Sequence, residues 1–134
     1  MTLKEFFQRD RFAATIGAEL TEIGEGWAKA RMLVEERHLN GGDVCQGGAI
    51  FTLADLAYAA AVNSHGTLTL AISTNITYIK SAGKGWLYAE AREVADHSRV
   101  PFTEVRVTNE AGDLIAVFTS TGYRKKAVQL PLDQ

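Results

Sequence analysis

A chain of 134 residues with a formal net charge of −2 has the size of a single domain and can bury a core without disulfides or metal. Its near-balanced charge leaves no cationic footprint for nucleic acid, and its single cysteine excludes a disulfide framework within the chain and fits a reducing compartment. Glu5 and Asp10 interrupt the start, so no signal-peptide core is expected there, and the apolar stretch 49–62 is shorter than the roughly 20 residues that a bilayer span needs. These features predict one domain over residues 1–134, cytoplasmic, with neither a nucleic-acid nor a membrane partner.

In chain order, Phe6, Phe7 and Phe12 fall close to helical spacing, which predicts a short amphipathic helix over 3–16 that ends near Gly17. "AELTEIGEG" reads as a strand closed by a glycine turn. In "WAKARMLV", Ala28, Ala30, Met32 and Val34 alternate with Lys29 and Arg31, the period of a strand with one wet face. A loop at 36–47 leads into an apolar run rich in alanine and leucine, predicted as a long central helix over about 47–64. Four further strand signals follow: "LTLAISTNITYI", "WLYAEAREVA", "FTEVRVTN" and "DLIAVFTSTGYR". The last two are joined by "NEAGD" at 109–113, a hairpin turn. Residues 125–134 are expected to form a loose tail.

Strands joined mostly without intervening helices argue for an α+β fold with an antiparallel sheet. The central helix is apolar nearly all round and so needs cover on every side. A curved sheet covers one side. In so small a chain, a second subunit is expected on the other.

Asp55 is the only charged side chain between Gly47 and Val62. Leaving a charge unpaired in an apolar segment costs on the order of several kcal/mol, so this carboxylate needs a reason. On a helix, Gly48, Thr52, Asp55 and Ala59 form one stripe of small groups around it. The glycine pair Gly47–Gly48 opens the helix, whose first N–H groups have no intrahelical acceptor and attract negative charge. Donors of this kind beside a carboxylate suit acyl transfer. The N–H groups stabilise the oxyanion of a tetrahedral intermediate, while the carboxylate activates water or attacks directly.

The stretch "HLNGGDVCQGGAIFTLADLAYA" closely resembles the central motif of hotdog-fold acyl-CoA thioesterases of the phenylacetate-degradation (PaaI) type. "RFAATIGAEL" at the start and "TNITYIKSAGKGWLYAEA" later extend the likeness over nearly the whole chain. The resemblance implies the hotdog fold, an antiparallel sheet wrapped around the long central helix. It also implies a homo-oligomer, a dimer or a dimer of dimers, with active sites across the subunit interface. The substrate implied is an acyl-CoA, hydrolysed to a carboxylic acid and CoA without an organic cofactor or metal. By position, Asp55 matches the family's catalytic carboxylate and Gly47 the glycine whose N–H polarises the thioester carbonyl from the partner subunit. Asn40 matches a polar residue that contacts the substrate or the same carbonyl. Gln46, Gly48 and Thr52 complete the expected substrate contacts. Many relatives have His where this chain has Gln46, whose amide can still donate. Some carry a serine at the start of the strand after the helix; its positional match is Ala71, with Ser73 or Thr74 as the available substitutes.

Plainer readings stand beside these. Asp55 as a structural carboxylate would pair with a basic side chain, and Gly47 and Gly48 suit a tight turn. Asn40 precedes a glycine, a common turn signal. His38, His65 and His97 look isolated, and no metal is expected. Cys45, just before a helix N-terminus, offers a thiol nucleophile but lacks a clear histidine partner. Among Lys80, Lys84, Arg92 and Arg99, some suit CoA phosphates; Tyr78 and Trp86 read as packing residues. The rival functions are a non-catalytic acyl-CoA-binding module on the same fold and a Cys45-dependent hydrolase. A hotdog dehydratase would need a histidine on the central helix, and there is none.

Overall fold

The computed structural model describes residues 1–131. A reciprocal capping box between Thr2 and Glu5 opens α1 (Leu3–Phe7), and the Asp10 carboxylate accepts from the Ala13 N–H at 3.0 Å to open α2 (Arg11–Thr15). The single helix expected over 3–16 is therefore two. Asp10 competes for the backbone and starts a new helix where a continuous one would have run through it.

The sheet strands are β1 (Glu19–Gly24), β2 (Trp27–Val34), β3 (Thr67–Tyr78), β4 (Gly85–Ala95), β5 (Phe102–Asn109) and β6 (Leu114–Gln129), with helix α3 (Gly47–Val62) between β2 and β3. Their spatial order is β1-β2-β4-β5-β6-β3, and each neighbouring pair is antiparallel. The hairpin at 109–113 closes with Gly112 N–H donating to Asn109 C=O, as its sequence predicts. Two boundaries differ from expectation. Strand β6 extends to Gln129, which pairs with Thr67 at the start of β3, so residues 125–129 are strand and not loose tail. The remainder of that expected tail at 132–134 lies outside the described residues. Helix α3 ends at Val62, two residues early, because the Asn63 side chain turns back to bond Ala59 and Thr69.

Alternation along the strands decides which face meets the helix. Ala28, Ala30, Met32 and Val34 of β2, with Leu87, Ala89 and Ala91 of β4 and Val105 and Val107 of β5, are buried in one core with Leu53, Ala54, Ala57, Ala60 and Ala61 of α3. Alanine on both partners lets the helix sit close to the sheet, chiefly over β2, β4 and β5. This is the hotdog arrangement, a sheet curved around one long helix. The uncovered side of α3 is the Gly48–Thr52–Asp55–Ala59 stripe, none of which is fully buried. Strand β3 is the sheet's outer edge, paired to β6 alone. It exposes Leu70 at 46% and Ile72 at 62%, a long strand with unpaired backbone and apolar side chains in water.

Candidate active site

At the start of α3, Gln46 takes the N-cap position in extended conformation but makes no side-chain cap. A Ser, Thr or Asp there would consume an orphan donor. Instead the Gln46 carbonyl accepts from Ala49 and Ile50, at 3.1 and 3.3 Å, while the N–H groups of Gly47 and Gly48 have no acceptor among the described residues. The loop before them is pinned by Cys45 N–H to Ala82 C=O (2.7 Å) and Gln46 N–H to His38 C=O (2.8 Å). From the end of β3, the Tyr78 hydroxyl donates to the Gly47 carbonyl at 2.9 Å. Thr52 commits its hydroxyl proton to the Gly48 carbonyl at 2.8 Å, which leaves its lone pairs free.

Two turns further along, Asp55 is partly buried and has neither a hydrogen bond nor an ion pair among the described residues. Burial first, and the Asp10 carboxylate second, push its pKa up from the ordinary value of 3.8. Both effects disfavour the charged form and make the carboxylate a stronger base. The pairing with a basic residue that would make Asp55 merely structural does not occur among the described residues. Asp10 is a neighbour that sequence reading missed. Nothing in the consecutive residues around it shows that α2 folds back towards α3.

The remaining expected contacts divide. Asn40 is exposed, and its side-chain oxygen accepts from Gly42 N–H at 2.8 Å and Val44 N–H at 3.4 Å, so it shapes the 40–44 turn while its amide NH2 stays free. Thr74 shares a hydrogen bond with Ser120 at 2.9 Å, whereas Ser73 is exposed and offers its carbonyl to the same Ser120 hydroxyl. Gln46 and Gly48 are exposed beside the free N–H groups.

Cys45 is buried, and desolvation raises its pKa to about 11, away from the thiolate a nucleophile needs. No histidine is hydrogen-bonded to this thiol among the described residues. His38 is buried with Nδ1 accepting from Glu35 N–H and Nε2 bonded to Ile16 C=O, and His97 Nδ1 accepts from Arg99 and Val100 N–H groups. His65 is not isolated, contrary to the sequence reading. Its Nε2 lies 2.9 Å from Glu93 and 3.8 Å from Asp96, and its Nδ1 lies 3.8 Å from Glu25. The Arg124 guanidinium already supplies a cation to this group, 3.0 Å from Asp96.

With this geometry in hand, comparison with known proteins gives one answer. Residues 42–116 match the model of the thioesterase superfamily. The chain belongs to that family. It is 45% identical over 119 residues to a protein of Archaeoglobus fulgidus, covering 88% of this chain and 77% of that one. The acyl-coenzyme A thioesterase PaaI of Escherichia coli is 29% identical over 119 residues, 88% of this chain and 85% of that one. The structure of E. coli PaaI superposes with a TM-score of 0.89 at 27% identity, covering 94% and 91% of the two chains. A variant of the phenylacetic acid degradation protein PaaI from Thermus thermophilus gives 0.82 at 33% identity, over 86% and 99%. The resemblance read from the "GGDVCQGG" region and the enzymatic, thioester-hydrolysing character it implied therefore hold for this member of the thioesterase superfamily. Among its described residues no helix is long and apolar enough to cross a membrane.

Proposed function

We propose that this chain hydrolyses acyl-CoA thioesters, with Asp55 of one copy and the α3 N-terminal N–H groups of a second copy acting on the same carbonyl. The observation that carries this reading is the placement of those two groups on one helix. Eight residues separate Gly47 from Asp55, a rise of about 12 Å along an α-helix. One thioester carbon cannot touch both within a single chain. A second copy laid against the open stripe of α3 brings Asp55 of one chain to Gly47 of the other. The unpaired edge of β3, with Leu70 and Ile72 exposed, is where such a copy would extend the sheet.

In the proposed course the Gly47 N–H receives the carbonyl oxygen, with Gly48 N–H or the Gln46 amide assisting. Asp55 then removes a proton from the attacking water or adds to the carbon itself, and the C–S bond breaks with CoA leaving as a thiolate. That leaving group is stable enough to need no strong acid catalyst. For the phosphates of CoA, Lys80, Lys84 and Arg92 are already engaged by Asp113, Glu36 and Glu90. Arg99 makes no ion pair among the described residues and shares a surface groove with Tyr123, Lys125 and Lys126, which makes it the best placed of the four.

The test is CoA release from a panel of acetyl-, hexanoyl-, palmitoyl-, benzoyl- and phenylacetyl-CoA, followed by subunit mixing. Asp55→Asn and Gly47→Ala proteins are each expected to be nearly inactive, and co-refolded at equal amounts to recover about a quarter of wild-type activity. Half of the random dimers are then mixed, and each mixed dimer has one intact site. No recovery would place the whole site in one chain. Tight binding of CoA esters without release would favour the non-catalytic module.

A further inference from the structure

We propose that Tyr78 is a positioning residue for the oxyanion site: from the end of β3 it clamps the Gly47–Gly48 peptide, which presents the Gly48 N–H beside that of Gly47. This rests on the reading above, in which those donors receive the thioester carbonyl.

Tyr78 is far from Gly47 in sequence but is delivered to it by strand register. It pairs with Ala116 of β6, and the next two residues, Ile79 and Lys80, both donate N–H to Ile115 C=O at 2.8 and 3.2 Å. So held, its hydroxyl donates to the Gly47 carbonyl at 2.9 Å. The ring covers Gly47 as well: a Cβ built there would lie 2.9 Å from both Cζ and Oη and 3.3 Å from Cε1. Gly47 does not have the left-handed backbone that favours glycine; the positive-φ glycines are elsewhere. A side chain here would have to displace the Tyr78 ring, so space under Tyr78, and not torsion, favours glycine at this position.

Two consequences follow for the donors. A glycine pair at an uncapped helix start is the least constrained backbone the chain can offer, and oxyanion stabilisation depends on donors that are already in place. The hydroxyl fixes the carbonyl end of the Gly47–Gly48 peptide and thereby the direction of its N–H. A hydrogen bond donated to a peptide carbonyl also polarises that peptide, which strengthens the Gly48 N–H on its other side. The residue is 49% exposed in the single chain and adds little to its core, so packing within the chain is a poor account of it. Sequence reading took Tyr78 for a packing residue because nothing in "TNITYIK" shows where the phenol points.

The decisive variant is Tyr78→Phe, which keeps the ring and removes the donor. On the best substrate of the CoA-ester panel, kcat is expected to fall roughly three- to tenfold with KM and melting temperature unchanged and the acid limb of the pH profile unshifted. Infrared spectra of the same substrate, labelled with carbon-13 at the thioester carbonyl and bound to Asp55→Asn enzyme, should show a higher C=O stretch when Tyr78→Phe is added. Wild-type kcat and an unmoved stretch would overturn the proposal, and so would a kcat loss matched by a fall in melting temperature. A double-mutant cycle gives an independent reading. Gly47→Ala, which pushes into the ring, should cost much less in a Tyr78→Ala background than in wild type; equal costs in both would mean that Tyr78 does not act through Gly47. Each of these is separable from the thioesterase reading itself, which fails only if wild type releases no CoA.

Discussion

Helix α3 is capped after Val62 by Asn63, whose side chain donates to the carbonyls of Ala59 and Thr69 at 2.9 and 3.1 Å and accepts from Thr69 N–H at 2.7 Å. It is preceded by Gln46, which caps nothing, and opens with two N–H groups without acceptors and, two turns on, a carboxylate without a partner among the described residues. Beyond the C-terminal end lies a further network, with His65 on Glu93 and Glu25 and Arg124 on Asp96, tying the α3–β3 and β1–β2 turns to the β4 and β6 segments. One end of the same helix is tied into the fold by hydrogen bonds and the other is left open. The open end is where the chain presents unpaired donors and a half-buried carboxylate to something that is not part of itself. The tied end holds the fold.

If that division is right, Asp55→Asn should have the largest functional effect. It is expected to lower kcat by two or more orders of magnitude while leaving melting temperature unchanged or raised, since the variant has no charge to desolvate. CoA release and thermal melts on the same preparation decide it, and a substantial loss of stability would mean that the carboxylate is structural after all.

At the other end, Asn63→Ala should do the opposite. It removes three hydrogen bonds and leaves buried Thr69 groups unpartnered, for a destabilisation of about 1–3 kcal/mol by urea unfolding. Activity per folded molecule should be preserved. A variant that stays stable but loses kcat would break the comparison.

Dependence on pH sharpens it further. Because the folded pKa of Asp55 lies above 3.8, the folded chain holds this proton more tightly than the unfolded chain. Its contribution therefore makes stability fall as pH rises from the unfolded value towards the folded one, with no further change above. Asp55→Asn should remove that slope. The acid limb of kcat/KM should sit above the ordinary carboxylate range. Asp10→Asn, which keeps a capping side chain for α2, should shift that limb towards lower pH by removing the second cause of the rise. A limb that stays in place would exclude Asp10 as a neighbour of consequence.

The smallest effect is expected from Cys45→Ser. With the thiol buried and its pKa pushed to about 11, kcat should stay within about twofold of wild type, and alkylation of the native protein by iodoacetamide near neutral pH should be slow. A dead Cys45→Ser enzyme with unchanged stability would restore the thiol mechanism.

Period and composition were enough to read the scaffold. Alternation in "WAKARMLV" gave β2 its buried face, the alanine-rich run gave α3, and "NEAGD" gave the last hairpin, because these are local preferences written in consecutive residues. Where a side chain or a neighbouring strand took over the backbone's hydrogen bonds, the reading slipped. Asp10 divided the N-terminal helix, Thr67 drew residues 125–129 into β6, and Asn63 shortened α3 by reaching for Thr69. The site shows the same boundary. Asp55, Gly47 and Gly48 were legible, since a lone charge in an apolar helix and a glycine pair at its start are anomalies within one segment. That Asp55 has no counter-ion among the described residues, that Asp10 lies near it, and that Tyr78 grips Gly47 depend on chain segments many residues apart meeting in space. Such meetings follow from strand order and register. Those emerge only when the whole core has closed around α3.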